Sequence, residues 1–117
     1  MVLIDEIKIL VRELIRITRK ERECIGYETL TVTGVNAQQL ASIPADATYM
    51  EIRVESATTT GVIMRYKLLG NTNLPTTTQG MALTYLDLFD VNGRPNLENF
   101  RIIAVSGSHT IHVQYYK

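Results

Sequence analysis

The chain has 117 residues, 45 % hydrophobic and 21 % charged, which is the size and composition of one globular domain and not of a disordered tail. Twelve basic residues balance twelve acidic ones, so the positive excess by which phosphate-neutralising nucleic-acid binders work is missing. One Cys excludes an internal disulfide framework and a multi-Cys zinc site, and no run nears the ~20 apolar residues that span a bilayer.

The first 24 residues contain neither Gly nor Pro. Leu3, Ile7, Leu10, Leu14 and Ile17 are spaced 4, 3, 4 and 3 apart, the spacing of an a/d helical seam, and Ile4 and Val11 widen it on one flank. Asp5, Glu6, Arg12, Glu13, Arg16 and Arg19 fill the remaining surface, and Asp5 and Glu6 inside the apolar run argue against a secretory signal. The pattern predicts an amphipathic helix over residues 3–23, with Gly26 as the left-handed residue after its end and Lys20 and Arg22 against its dipole. Such a helix either covers a face of its own domain or pairs with copies of itself. A seam widened by one flank suits three or more helices better than two, so Leu3, Ile7, Leu10, Leu14 and Ile17 are the candidate oligomerisation residues of a homotrimer. A membrane-surface role fits poorly, because acidic and basic residues mix on the polar face.

From residue 26 the vocabulary changes: thirteen of the fourteen threonines follow that point, with frequent Tyr, Val and Ile. Residues 27–35 alternate loosely as a first strand. Residues 48–55 alternate cleanly, with Met50, Ile52 and Val54 on one face and Tyr49, Glu51, Arg53 and Glu55 on the other. Residues 61–68 place Val62, Met64, Tyr66 and Leu68 against Ile63, Arg65 and Lys67. Residues 70–80 read as a loop, 81–83 and 87–91 as short strands, and 92–95 as a turn. Strands over 100–105 and 110–116, joined through Ser106 to His109, read as a hairpin. Six to eight short strands with regular turn signals predict a mainly β domain over 26–117, an antiparallel β-sandwich or jelly roll behind a helical segment over 1–25.

Chemistry-bearing patterns are sparse. His109 and His112 are three apart, which on a strand points them to opposite faces, and no carboxylate pair or Cys completes a metal site. Ser106 and Ser108 lie near His109 without a nucleophile-elbow pattern, Asp87, Asp90 and Glu98 read as solubilising and turn-forming residues, and Cys24 reads as a small packing residue. No glycine pattern for a nucleotide exists. Arg53, Arg65, Lys67 and Arg101 with Tyr49 would make a weak basic surface, which pairing of Glu51 and Glu55 with these arginines explains more simply. No catalysis, cofactor, metal, nucleic acid or membrane partner is expected. Tyr115 and Tyr116, at a strand end, suit an interface, where a ring buries while its hydroxyl reaches water or a partner.

The series Ala47 to Glu55, then Arg65-Tyr66, Gly70, Pro75-Thr76, Gly80, Leu97, Phe100-Arg101-Ile102-Ile103 and His112-Val113-Gln114-Tyr115-Tyr116 resembles a recurring type of small tailed-bacteriophage virion protein. The likeness covers residues 45–117 and leaves out the helix. Among proteins of that type the nearest defined role is capsid decoration, or cement, with head-fibre, neck and tail components as competitors. The resemblance implies a non-enzymatic structural protein on the capsid surface, made in the host bacterial cytoplasm, with the major capsid protein and further copies of itself as partners.

Overall fold

The computed structural model describes residues 2–117, and for residues 2, 3, 13 and 15–21 it describes the backbone alone. A helix, α1 (Val2–Glu21), precedes seven strands: β1 (Cys24–Val32), β2 (Tyr49–Glu55), β3 (Met64–Lys67), β4 (Met81–Leu83), β5 (Leu88–Asn92), β6 (Arg101–Ala104) and β7 (His109–Tyr116). A five-residue helix, α2 (Arg94–Glu98), lies between β5 and β6. The protein is mainly β, with two antiparallel sheets ordered β1-β7-β2-β5 and β4-β3-β6.

The pairing is nested. β1 pairs with β7, β2 with β5 and β3 with β4, while Gln38 makes an isolated antiparallel bridge to Ile102 of β6. Taken in chain order, the eight positions pair first with last, second with seventh, third with sixth and fourth with fifth. The chain is thus one long hairpin, folded over so that β7 also meets β2 and β6 also meets β3.

Burial follows the two-residue period of a strand. On β2, Met50, Ile52 and Val54 are fully buried while Tyr49, Glu51, Arg53 and Glu55 face outward; on β7, His109, Ile111, Val113 and Tyr115 turn inward. With Met64, Leu97, Phe100 and Ile102, the inward residues of β2 and the inward Ile111, Val113 and Tyr115 of β7 form a core shared by both sheets. Each such apolar side chain contributes about 1.5–3 kcal/mol by leaving water. Tyr66 stacks on Phe89 and Phe100 at 4.7 and 5.6 Å, so an aromatic stack joins β3 to β5.

The segment between β1 and β2 is tied to the edges of both sheets. Gln38 exchanges backbone hydrogen bonds with Ile102 (2.7 and 3.0 Å), its side-chain oxygen accepts from the Thr33 N–H, and its side-chain nitrogen donates to the Thr31 carbonyl. The Glu28 carboxylate accepts from the Ala41 and Ser42 N–H groups and from the buried Tyr115 hydroxyl. These contacts cover part of the outer edges of β6 and β1.

Several expectations are corrected. The last two strands form no hairpin: β6 and β7 belong to different sheets. All four residues of β6 are buried, whereas β7 alternates and lies between β1 and β2, so the connection carries the chain from one sheet to the other. Gly26 does not end the helix but lies within β1 beside a bulge, where a Cβ would stand 2.8 Å from Pro44 Cγ. The strand expected over 61–68 contracts to β3; Met64, Tyr66 and Leu68 lie against the core, but Ile63, expected on the face opposite Met64, is buried too while Val62 is exposed. The turn expected at 92–95 runs into α2, where Pro95 suits the first turn and Arg94 pairs with Glu98 at 2.8 Å. Cys24 is exposed at the start of β1 and not packed.

The arginines also depart from expectation. Arg65 donates to the Thr77 and Gly80 carbonyls, and buried Arg101 to Asn71 Oδ1 and the Glu98 and Phe100 carbonyls. Both bind loops of the three-stranded sheet, whereas Arg53, Glu51 and Glu55 stand on the other sheet. Among the described residues neither the expected Glu pairing nor one basic face with Tyr49 is found. Gly80 is where Arg65 holds the loop: its φ is +131°, and a Cβ would stand 3.1 Å from the Tyr66 carbonyl oxygen, so only glycine suits both demands.

Candidate functional site

Two features of the surface stand out, the apolar stripe of α1 and the outer face of the four-stranded sheet. On α1, Ile7, Leu10 and Leu14 are 52, 67 and 65 % exposed, and the flanking Ile4 and Val11 are 49 and 50 % exposed. The side chains of Leu3 and Ile17 lie outside the described residues. The described part of the stripe, Ile4, Ile7, Leu10, Val11 and Leu14, is therefore exposed and not buried on the sheets. The radius of gyration, 16.6 Å, exceeds the roughly 13 Å expected for a compact chain of this length, as a projecting helix of about 30 Å requires.

The sheet face is laid out in cross-strand rows by the register. Tyr116 stands beside Tyr49; Tyr27, Gln114, Glu51 and Asp90 form the next row; Thr29, His112, Arg53 and Leu88 the next. Two clefts open on this face and share Glu51. One of about 370 Å³ is lined by Arg22, Tyr49, Glu51, Leu88, Asp90 and Tyr116, and the other, of about 290 Å³, by Tyr27, Glu51, Arg53, His112 and Gln114.

In the first cleft the Arg22 guanidinium lies 3.8 Å from the centroid of the Tyr49 ring, and the Tyr49 and Tyr116 rings meet at 5.5 Å, tilted by 60°. Burial, then the hydrogen bond and charge of Asp90, push the Tyr49 hydroxyl up to about 12, with Arg22 opposing. Burial likewise raises Tyr116. In the second cleft His112 is held on both sides. Its Nε2 faces the Glu55 carboxylate, which only accepts, so Nε2 donates there, and its Nδ1 shares a hydrogen bond with the Tyr27 hydroxyl at 2.7 Å. These rows offer aromatic faces, carboxylates and an amide, groups suited to polar or cationic ligands.

His109 occupies a third place. Its Nε2 donates to the Ser106 carbonyl (2.6 Å), which leaves Nδ1 to accept from the Ser56 hydroxyl at 2.7 Å. Ser56 Oγ in turn accepts from the Thr58 N–H at 2.9 Å. The sequence reading of a solvated loop histidine is corrected: His109 is 6 % exposed and ties the loop after β2 to the loop before β7. The expected opposite facing of His109 and His112 holds. Among the described residues no group of three or more His, Cys, Asp or Glu is placed to hold a metal ion.

Tyr115, expected at an interface, is fully buried in the protein's own core and donates to Glu28; its place in the inward row of β7 leaves it no surface to offer. Tyr116, its outward neighbour, lines the first cleft. Burial and the Glu28 carboxylate raise the Tyr115 hydroxyl far above 10. Its folded form thus keeps a proton that the unfolded chain loses, and stability should fall as pH rises beyond 10, by about 1.4 kcal/mol per pH unit from this group. Chemical denaturation at pH 9 and pH 11.5 checks this, and Tyr115→Phe should reduce the difference, leaving the part that Tyr49 contributes.

Sequence reasoning missed Arg22 and Asp90 as cleft residues. The alternation of 48–55 identified the outward set on β2, but nothing local placed β5 or the helix end beside it. Compared with protein-family models, with curated proteins and with solved structures, the chain finds no match in any of the three.

Proposed function

We propose that the protein is a non-enzymatic structural component of a bacteriophage virion, a jelly-roll β-sandwich that self-associates through its N-terminal amphipathic helix and decorates the capsid by binding the major capsid protein. The observation that carries this reading is the displayed stripe of α1: Ile4, Ile7, Leu10 and Val11 on one side of a helix, exposed by 49 to 67 %. Apolar surface of that extent on a small domain marks an association site. The nested pairing supports the jelly roll, with the bridge at Gln38 standing where its second strand would lie. Domains of that architecture serve viral capsids and lectins alike, so the architecture supports the reading without deciding it. The resemblance of residues 45–117 to small phage virion proteins supports a place in the virion, and capsid decoration is the nearest defined role among them. A trimer meeting several capsomers at once would gain avidity from weak contacts. The engagement of both His109 nitrogens by loop groups supports a structural role for that histidine.

A second reading, a head-fibre, neck or tail module that binds a receptor or carbohydrate, is favoured by one observation, the tyrosine-bearing clefts of the outer sheet face. Copy number separates the two. Quantitative mass spectrometry of purified particles should find hundreds of copies per particle for decoration; tens or fewer would transfer the protein to the fibre or neck reading.

A further inference from the structure

We propose that the cleft between Tyr49, Tyr116, Glu51 and Asp90 is a guanidinium-recognition site, which the chain's own Arg22 fills and from which a competing arginine side chain can displace it. Three observations converge there. Glu51 and Asp90 are direct cross-strand partners on β2 and β5, and like charges so placed destabilise a sheet unless a cation lies between or above them. Tyr49 and Tyr116 supply two ring faces set at an angle, and the Arg22 guanidinium already lies on one of them at 3.8 Å. The position of Arg22 is fixed from behind: the adjacent Glu23 exchanges backbone hydrogen bonds with Lys117 (3.0 and 3.5 Å), and their side chains pair at 3.5 Å.

The chemistry selects guanidinium over ammonium. A planar, weakly hydrated guanidinium can lie flat on Tyr49 while its edge N–H groups reach carboxylates, whereas an ammonium is a compact, strongly hydrated point charge. Tyr49 stays protonated at neutral pH, so its ring is a neutral face. Because Arg22 immediately follows α1, the occupied cleft also latches the root of the helix to the sheet; an arginine from a partner would release that latch while gaining the site. This inference stands apart from the virion reading, since it concerns the site's ligand chemistry and not where the protein resides.

The test uses the full chain, its Arg22→Ala and Arg22→Gln variants, and N-ethylguanidinium as probe, followed by the ring signals of Tyr49 and Tyr116 in NMR spectra. Both variants should show saturable shifts of those two rings at millimolar probe, about tenfold weaker or absent in the unaltered chain, where Arg22 competes. Ethylammonium should bind the variants several-fold less well, and adding Asp90→Asn should remove most of the response. Equal responses in the unaltered chain and the variants, no saturation in either variant, or equal binding of ethylammonium would each overturn the proposal.

Discussion

Replacing Ile7 and Leu10 together by Asp is expected to turn the assembled protein into a folded monomer. Both side chains stand more than half exposed on α1, so the β domain loses no packing when they change. In a helical assembly each would lie in a seam closed by its neighbours, where an unpaired carboxylate costs several kcal/mol or must stay protonated. A trimer carries that cost at three copies of each position, so its affinity should fall by at least about a thousandfold. Light scattering reports the mass, and far-ultraviolet circular dichroism the strands. An unfolded chain would mean that the helix belongs to the domain's core; an unchanged oligomer would mean that the β domain alone makes the contact.

A large stability effect should come from Glu28→Ala. One carboxylate on β1 receives the Tyr115 hydroxyl from the core and the Ala41 and Ser42 N–H groups from the segment that covers the sheet edge. Truncation strands a fully buried hydroxyl and frees that segment, and hydrogen bonds to a charged acceptor contribute about 1.5–3 kcal/mol each where buried. A loss of about 3–4 kcal/mol follows, seen as a Tm lower by roughly 10 °C or more. Glu28→Gln, which keeps an acceptor oxygen, should lose less than half as much. Combined with Tyr115→Phe, which removes the stranded donor, Glu28→Ala should cost clearly less than the sum of the two single changes.

What the sequence revealed was what local alternation controls. Met50, Ile52 and Val54 are buried as their spacing requires, residues 70–80 form a loop held by a short 3-10 turn, and the β character of 26–117 follows from its Thr, Val, Ile and Tyr content. What it concealed was long-range pairing. β1 and β7 are joined across almost the whole domain, and no local signal sets that partnership, so β6 and β7 resembled a hairpin through their turn residues alone. The fates of Arg65 and Arg101 followed the same error: an arginine's partner depends on which sheet its strand joins. Tyr115 and Tyr116 show how narrow the margin is. Adjacent tyrosines on one strand necessarily face opposite ways, so one becomes core and the other lines the cleft. The cleft was illegible for a further reason: its charges come from the helix end, β2 and β5, more than 60 residues apart in the chain at their extremes.

Self-association through α1 is the central claim, and sedimentation equilibrium of the intact chain tests it most directly. A single species at three times the chain mass, dissociated by the Ile7→Asp/Leu10→Asp double change, is the predicted result. A monomer at every concentration up to several hundred micromolar would contradict it.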